Sequence, residues 1–238
     1  MSGPRSTAET QAPLDELYDL AMLDLDGVVY IGPEVVPGAS AAISAWRDSG
    51  RTVGFVTNNA SRPPERVADH LRELGVEASV GDVVTSAQAV AGVLREVYGS
   101  GAAICVLGGE GLLQAVEAEG LRPVGAAEEA AAIVTGYGPQ VLWADIMQAA
   151  VRIRDGLAWF ASNTDMTIPT AFGTAPGHGV LVETIARFSG RTPTVCDACR
   201  NADPAIARPG QHDPWRIAQE LGIKFGNACF VPGTVLRK

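Results

Sequence analysis

Met22-Leu23-Asp24-Leu25-Asp26-Gly27-Val28-Val29-Tyr30 is the stretch from which the fold of this chain can be read. The apolar run from Leu20 to Asp24 predicts a β-strand. It ends in two carboxylates two residues apart, and Gly27 then lets the backbone turn sharply. In open α/β sheets, ligands bind beyond the carboxyl ends of the strands, which is where these two acids stand. Carboxylates so placed suit a hard cation such as Mg²⁺. One can also attack phosphorus while the other handles a proton. A solvated turn can carry the same letters, so the motif gains meaning only in combination with a second one further along the chain.

Working outward, short apolar runs alternate with amphipathic segments, the β-α-β-α rhythm of a parallel sheet with helices on its faces. Pro37-Gly38 opens a helix with Ala39, Ala42, Ile43 and Trp46 on one face, and Gly50 stops it. The strand Thr52 to Val56 leads into Phe55-Val56-Thr57-Asn58-Asn59-Ala60-Ser61, a hydroxyl, two amides and another hydroxyl, where Ser61 with Pro63 and Pro64 reads as a helix start. Donors of this kind beside a helix N-terminus suit a phosphate, while a cluster of capping and turn residues is the structural alternative. Val83-Val84 and a helix from Ala87 to Val97 form a third unit. After Gly99-Ser100-Gly101 comes a second set: strand Ala103 to Leu107, helix Gly111 to Ala118, strand Ala131 to Val134, helix Val141 to Arg154 and strand Leu157 to Ala161. This set reads as an inserted domain.

In this order, the Asp24-x-Asp26-Gly27 and Thr57-Asn58-Asn59 segments resemble the haloacid dehalogenase (HAD) superfamily of aspartate-nucleophile phosphatases. The likeness is greatest to the branch of phosphoglycolate and p-nitrophenyl phosphatases, in which a large α/β cap is inserted between the second and third motifs. The Asp-Gly-Val-Val-Tyr opening, Ser162-Asn163-Thr164-Asp165-Met166-Thr167-Ile168-Pro169 and Pro176-Gly177-His178-Gly179 add to it. The resemblance implies an α/β fold with a Rossmann-like, parallel-sheet HAD core over 18–100 and 191–238, an α/β cap over 101–190 and a flexible tail over 1–17. It implies a Mg²⁺-dependent hydrolase acting on a small phosphorylated metabolite. By the family's pattern Asp24 attacks phosphorus to form an aspartyl-phosphate, and Asp26 protonates the leaving alcohol and then activates water. Thr57, the Asn58 backbone N–H and Asn59 hold the phosphate, and the Asp24 carboxylate and the Asp26 carbonyl hold the Mg²⁺. Pairing of two copies through the cap is a further expectation.

The chain departs from the family after Val195. The family continues with Gly-Lys-Pro, whereas here Cys196 to Ile206 intervenes and Ala207-Arg208-Pro209 is the nearest match, which makes Arg208 the substitute cation. The only lysines are Lys224 and Lys238. The fourth motif, an apolar strand ending in Gly-Asp, is met by Ala228-Cys229-Phe230-Val231 followed by Pro232-Gly233-Thr234, without the aspartate. The core is therefore expected to be incomplete at its C-terminal side, as in a truncated or divergent reading of a longer parent. A catalytically impaired HAD-fold module that binds a phosphorylated ligand or a partner is the alternative function.

Composition sets the outer bounds. With 238 residues, 47% hydrophobic and 19% charged, the chain has ample material for a packed core. A formal net charge of −9 is the wrong sign for a nucleic-acid binder. No apolar run is long enough for a membrane span and no signal-peptide block precedes Leu17, so a cytoplasmic protein is expected. Four irregularly spaced cysteines do not make a disulfide framework. Cys196, Cys199, His212 and Cys229 have spacings that a zinc site could use, with ordinary free thiols as the plainer reading. Gly108-Gly109-Glu110-Gly111 reads as a tight βα turn, His70 as a packing residue, and His178 as a loop residue near the cap junction that could touch substrate, with loop stabilisation the plainer reading; by the resemblance, Gly136-Tyr137-Gly138-Pro139 stands where family members carry specificity residues.

Overall fold

Strand β1 (Leu20–Asp24) sits between β4 (Thr52–Thr57) and β13 (Ala228–Val231), and β5 (Val83–Thr85) completes a four-stranded parallel sheet of order β13-β1-β4-β5. This computed structural model describes residues 18–170, 172–196 and 228–231, the last four as backbone. Arg208, Cys199 and His212 lie outside the described residues, as does the tail over 1–17.

A second parallel sheet is built from β6 (Ala103–Leu107), β7 (Arg122–Val124), β8 (Ala132–Thr135), β9 (Ala158–Ala161) and β12 (Thr194–Val195), in the order β12-β9-β8-β6-β7. The family pattern places everything after residue 190 in the first unit. Thr194 and Val195 instead pair with Phe160 and Ala161, so the second sheet runs past that boundary. Two short antiparallel hairpins complete the strands: β2 (Tyr30–Ile31) with β3 (Glu34–Val35), and β10 (Thr167–Thr170) with β11 (Gly173–Pro176).

The helices follow from local chemistry. Helix α1 (Ala39–Asp48) starts after Pro37-Gly38 as the sequence signals, and α2 (Pro64–Glu73) has proline in its first turn, where a missing N–H costs nothing. Helix α3 (Ser86–Tyr98) opens with a capping box: Gln88 N–H donates to Thr85 Oγ1 at 3.2 Å and Thr85 N–H to Gln88 Oε1 at 2.9 Å. Helices α4 (Glu110–Ala118) and α5 (Trp143–Arg154) match the periodicity, with starts within two residues of expectation. Helix α6 (His178–Ser189) is announced in the sequence only by its Pro-Gly-His-Gly opening, which has the letters of a loop.

The core has three apolar clusters. One lies under the first sheet, with Phe55, Val53, Leu71 and Leu25 fully buried. Another covers one face of the second sheet with α5 and α6, through Ile133, Ile153, Ile185 and Trp159. The third brings Val90, Ala91 and Leu94 of α3 against Leu112 and Val116 of α4 and Ile104 and Phe160 of the second sheet. It joins the two units through shared burial rather than by linkers alone. Cys196 is buried in this cluster rather than near a surface loop, and its thiol is pushed up to about 12 by burial.

Candidate active site

Strands β1 and β4 are neighbours in register, with Asp24 opposite Val56, so the carboxyl ends carrying Asp24 and Thr57 lie side by side at about 4.8 Å strand spacing. The two segments singled out from sequence are thereby delivered to one edge of one sheet. Beyond Asp24 the chain turns tightly: Val29 and Tyr30 N–H donate to the Leu25 carbonyl at 3.0 and 3.2 Å, and Gly27 N–H donates to the Tyr30 carbonyl at 2.8 Å. Gly27 adopts φ 84°, a conformation that L side chains rarely take. The turn swings Asp26 out to the surface of the sheet edge while Asp24 stays half-buried, its Oδ1 accepting from Leu25 N–H at 2.8 Å.

The Thr57 loop is fixed by its own side chains. Thr57 is buried and its Oγ1 accepts from Asn59 N–H at 3.1 Å, while its hydroxyl proton can still donate. Asn59 Oδ1 accepts from Ser61 N–H at 2.9 Å and from Ser61 Oγ at 2.7 Å, so Ser61 closes a turn rather than starting the helix. Arg62 comes next, its backbone pinned from the other unit. A Cβ on Gly111 would come within 2.5 Å of the Arg62 carbonyl carbon, and Gly111 N–H donates to the Ser61 carbonyl at 3.0 Å. The Gly108-Gly109-Glu110-Gly111 turn is thus also the seam where the second unit presses on the Thr57 loop.

These groups open onto a cavity of about 200 Å³. The first unit supplies Asp26, Asn58, Asn59 and Arg62, and the second supplies Tyr137, Asn163, Asp165, Thr167 and His178, with Ile168 and Pro169 of the β10–β11 hairpin as apolar wall. Of the sequence-named site residues, Asp26, Asn58 and Asn59 line it, and Asp24 and Thr57 stand behind them at the strand ends.

Electrostatics distinguish the groups in this cavity. Protein atoms crowded around the Asp26 carboxyl raise it above the usual carboxylate range, despite its solvent access; the Arg62 guanidinium pulls it back down and Asp165 pushes it further up. Tyr30 is pushed up to about 12 by burial and by Asp26, with Arg62 opposing. Tyr30 also packs edge-on against His70, their centroids 5.1 Å apart, which fits the packing role expected of His70. His178 Nδ1 lies 2.9 Å from the Asn163 carbonyl, which can only accept, so the ring proton sits there. Burial lowers the ring to about 4, keeping it neutral, and Nε2 is buried without a partner among the described residues.

The resemblance implies Mg²⁺, and oxygen donors of the right type stand at this sheet edge: the Asp24 carboxylate and the Asp26 main-chain carbonyl. Among the described residues no three acidic, histidine or cysteine side chains converge as a ready cage. Mg²⁺ accepts such a sparse set, since it commonly keeps waters and takes one or two carboxylates plus phosphate oxygens.

Comparison with known proteins bears on what this edge is. The chain matches the haloacid dehalogenase-like hydrolases over residues 21–122, a span that holds both motifs. It is 33% identical over 176 residues to the acid sugar phosphatase of Staphylococcus aureus, covering 74% of this chain and 67% of that protein. The chain belongs to the haloacid dehalogenase-like hydrolases. Within that superfamily it is 41% identical over 226 residues to the D-glycerol 3-phosphate phosphatase of Mycobacterium tuberculosis, covering 92% of this chain and 63% of that protein. A crystal structure of glycerol phosphate phosphatase from Mycobacterium tuberculosis in complex with magnesium superimposes with a TM-score of 0.80 at 36% identity, covering 91% of this chain and 62% of that one. The chain therefore spans somewhat less than two thirds of the mycobacterial HAD phosphatase it matches.

Arg62 and Asp165 are site residues that the sequence reading does not single out by role. Arg62 had a signal, a cation three residues beyond Asn59, while Asn163 and Asp165 were visible only as parts of a motif, and the approach of these two and of His178 to Asn58 depends on the packing of the two units.

Proposed function

We propose that this HAD chain carries the nucleophile and phosphate-binding groups of a Mg²⁺-dependent phosphomonoesterase acting on a small phosphorylated alcohol. The observation that carries the reading is the convergence of Asp26, Asn58, Asn59 and Arg62 on one cavity at the carboxyl edge shared by β1 and β4. The Asp24 carboxylate attacks phosphorus, forming an aspartyl-phosphate as the bond to the alcohol oxygen breaks. Asp26 gives its proton to that oxygen; crowding that raises its carboxyl favours the protonated form such an acid needs. Asp26 then takes a proton from water, whose oxygen attacks the same phosphorus, freeing phosphate and restoring Asp24.

Thr57 and the Asn58 and Asn59 amides hold the phosphoryl oxygens, and Arg62, the only guanidinium among the residues described around the cavity, supplies positive charge on the same side. Mg²⁺, held by the Asp24 carboxylate and the Asp26 main-chain carbonyl, would neutralise phosphate charge and align the attack. The described part of the cavity is small, and its cap wall offers hydroxyls, amides and one carboxylate, Asp165, but no cation. That lining suits a neutral polyol leaving group, and the likeness to a D-glycerol 3-phosphate phosphatase makes glycerol phosphates the first substrates to try.

The test is phosphate release from p-nitrophenyl phosphate and a panel of glycerol and sugar phosphates with and without Mg²⁺. Mg²⁺-dependent turnover that Asp24→Asn lowers by at least about a thousandfold supports the reading. Turnover unchanged by Asp24→Asn, or none from a folded chain, rejects it and leaves a binding module.

A further inference from the structure

Asn163 is buried at the junction of the two units, where a primary amide is costly unless its groups are paired. It is paired on every side. Its Nδ2 donates to the Asn58 carbonyl at 2.7 Å, its Oδ1 accepts from Asp165 N–H at 3.1 Å, and its own carbonyl accepts from His178 Nδ1 at 2.9 Å. The Asp165 carboxylate returns to the start of the ring, accepting from Asn58 Nδ2 at 3.2 Å. From the opposite side, Ser86 Oγ, at the first residue of α3, donates to the same Asn58 carbonyl at 2.7 Å. A carbonyl oxygen has two lone pairs, and here one is engaged from the first unit and one from the second.

We infer that Asn163 is a positioning residue for phosphate binding: acting through the Asn58 carbonyl, it fixes the Thr57-Asn58-Asn59 loop in the shape that receives phosphate and makes that shape depend on the seated second unit. The inference rests on the phosphatase reading above. Its physical content is that the peptide after Asn58 cannot rotate without breaking a hydrogen bond on each side. Loss of either donor frees it to sample orientations in which the loop no longer converges on the anion, so affinity falls even though the lost group acts only through Asn58.

Asn163→Asp separates this role from simple packing. It keeps the size of the side chain and the acceptor for Asp165 N–H, but turns the donor that faces the Asn58 carbonyl into a carboxylate oxygen. The probe is inorganic phosphate in the presence of Mg²⁺, titrated calorimetrically into the full chain, so no turnover is needed. Asn163→Asp is expected to weaken phosphate by about tenfold or more and Ser86→Ala by about threefold or more. The double variant should lose less than the product of the two, because both act on one oxygen. Asn163→Ala, which leaves no charge behind, reads the same way should the carboxylate prevent folding. Phosphate affinity within twofold of wild type in a folded Asn163 variant, or strictly multiplicative losses, overturns the inference and leaves Asn163 as structural packing. A wild-type chain that binds no phosphate overturns the functional reading and this inference together.

Discussion

At the scale of single residues, charge and protonation around the cavity yield two expectations. Arg62 lies against the buried Tyr30 hydroxyl and acts electrostatically on Asp26 across the same cavity. Arg62→Met should raise KM for a phosphate ester by about tenfold or more, since a charge-assisted contact to an anion is worth about 1.5–3 kcal/mol. Arg62→Lys should recover part of the loss, because it restores charge but not the planar fork. Steady-state kinetics on the two variants decide it, and an unchanged KM in Arg62→Met removes Arg62 from the phosphate site. His178 gives the second. Its ring is lowered from 6.5 to about 4 by burial, so folding favours the neutral form. The unfolded chain binds the extra proton between those values, and stability falls as pH drops from about 6.5 toward 4, by about 3 kcal/mol for this one group. Urea unfolding across that range should show the slope, and His178→Gln should flatten it.

At the scale of elements, what is legible in the sequence is what local pattern controls. The strands carrying Asp24 and Thr57 and five of the six helices among the described residues can be placed because their apolar residues recur with a strand or helix period between clear stops such as Gly50 and Gly75. Helix α6 escapes such a reading because its opening, Pro176-Gly177-His178-Gly179, has turn composition, and the β2–β3 pair escapes it because two-residue strands have no period to read. The Gly108-Gly109-Glu110-Gly111 segment is the turn its composition predicts, but its other role depends on a partner surface. Gly111→Ala places a methyl against the Arg62 backbone, where neither main chain can give way easily. The change should cost about 1–3 kcal/mol and lower phosphate affinity as the Thr57 loop shifts. Denaturation together with phosphate titration checks both, and a variant with wild-type affinity would show that the seam does not shape the loop.

At the scale of the whole molecule, α5 turns an apolar stripe outward: Leu142, Trp143 and Met147 are 64%, 62% and 55% exposed, and Val151 continues the line one turn on. The expectation from the resemblance that two copies pair through the cap is tested at this stripe. Sedimentation of the wild-type chain should give a dimer that Trp143→Glu with Met147→Glu dissociates, and a monomeric wild type would refute the pairing. Among the described residues no helix is long and apolar enough to cross a membrane.

Sequence by itself determined the parallel α/β character, the two acids at a strand end and the amide-rich loop that answers them, because periodicity and turn chemistry are local and the motif spacing is a property of the chain. Only the tertiary structure decided which groups meet. Asn163 reaches Asn58 across 105 residues, Arg62 turns toward Asp26, and Thr194–Val195 joins the second sheet because burial of shared apolar faces and pairing of buried polar atoms reward contacts without regard to distance along the chain.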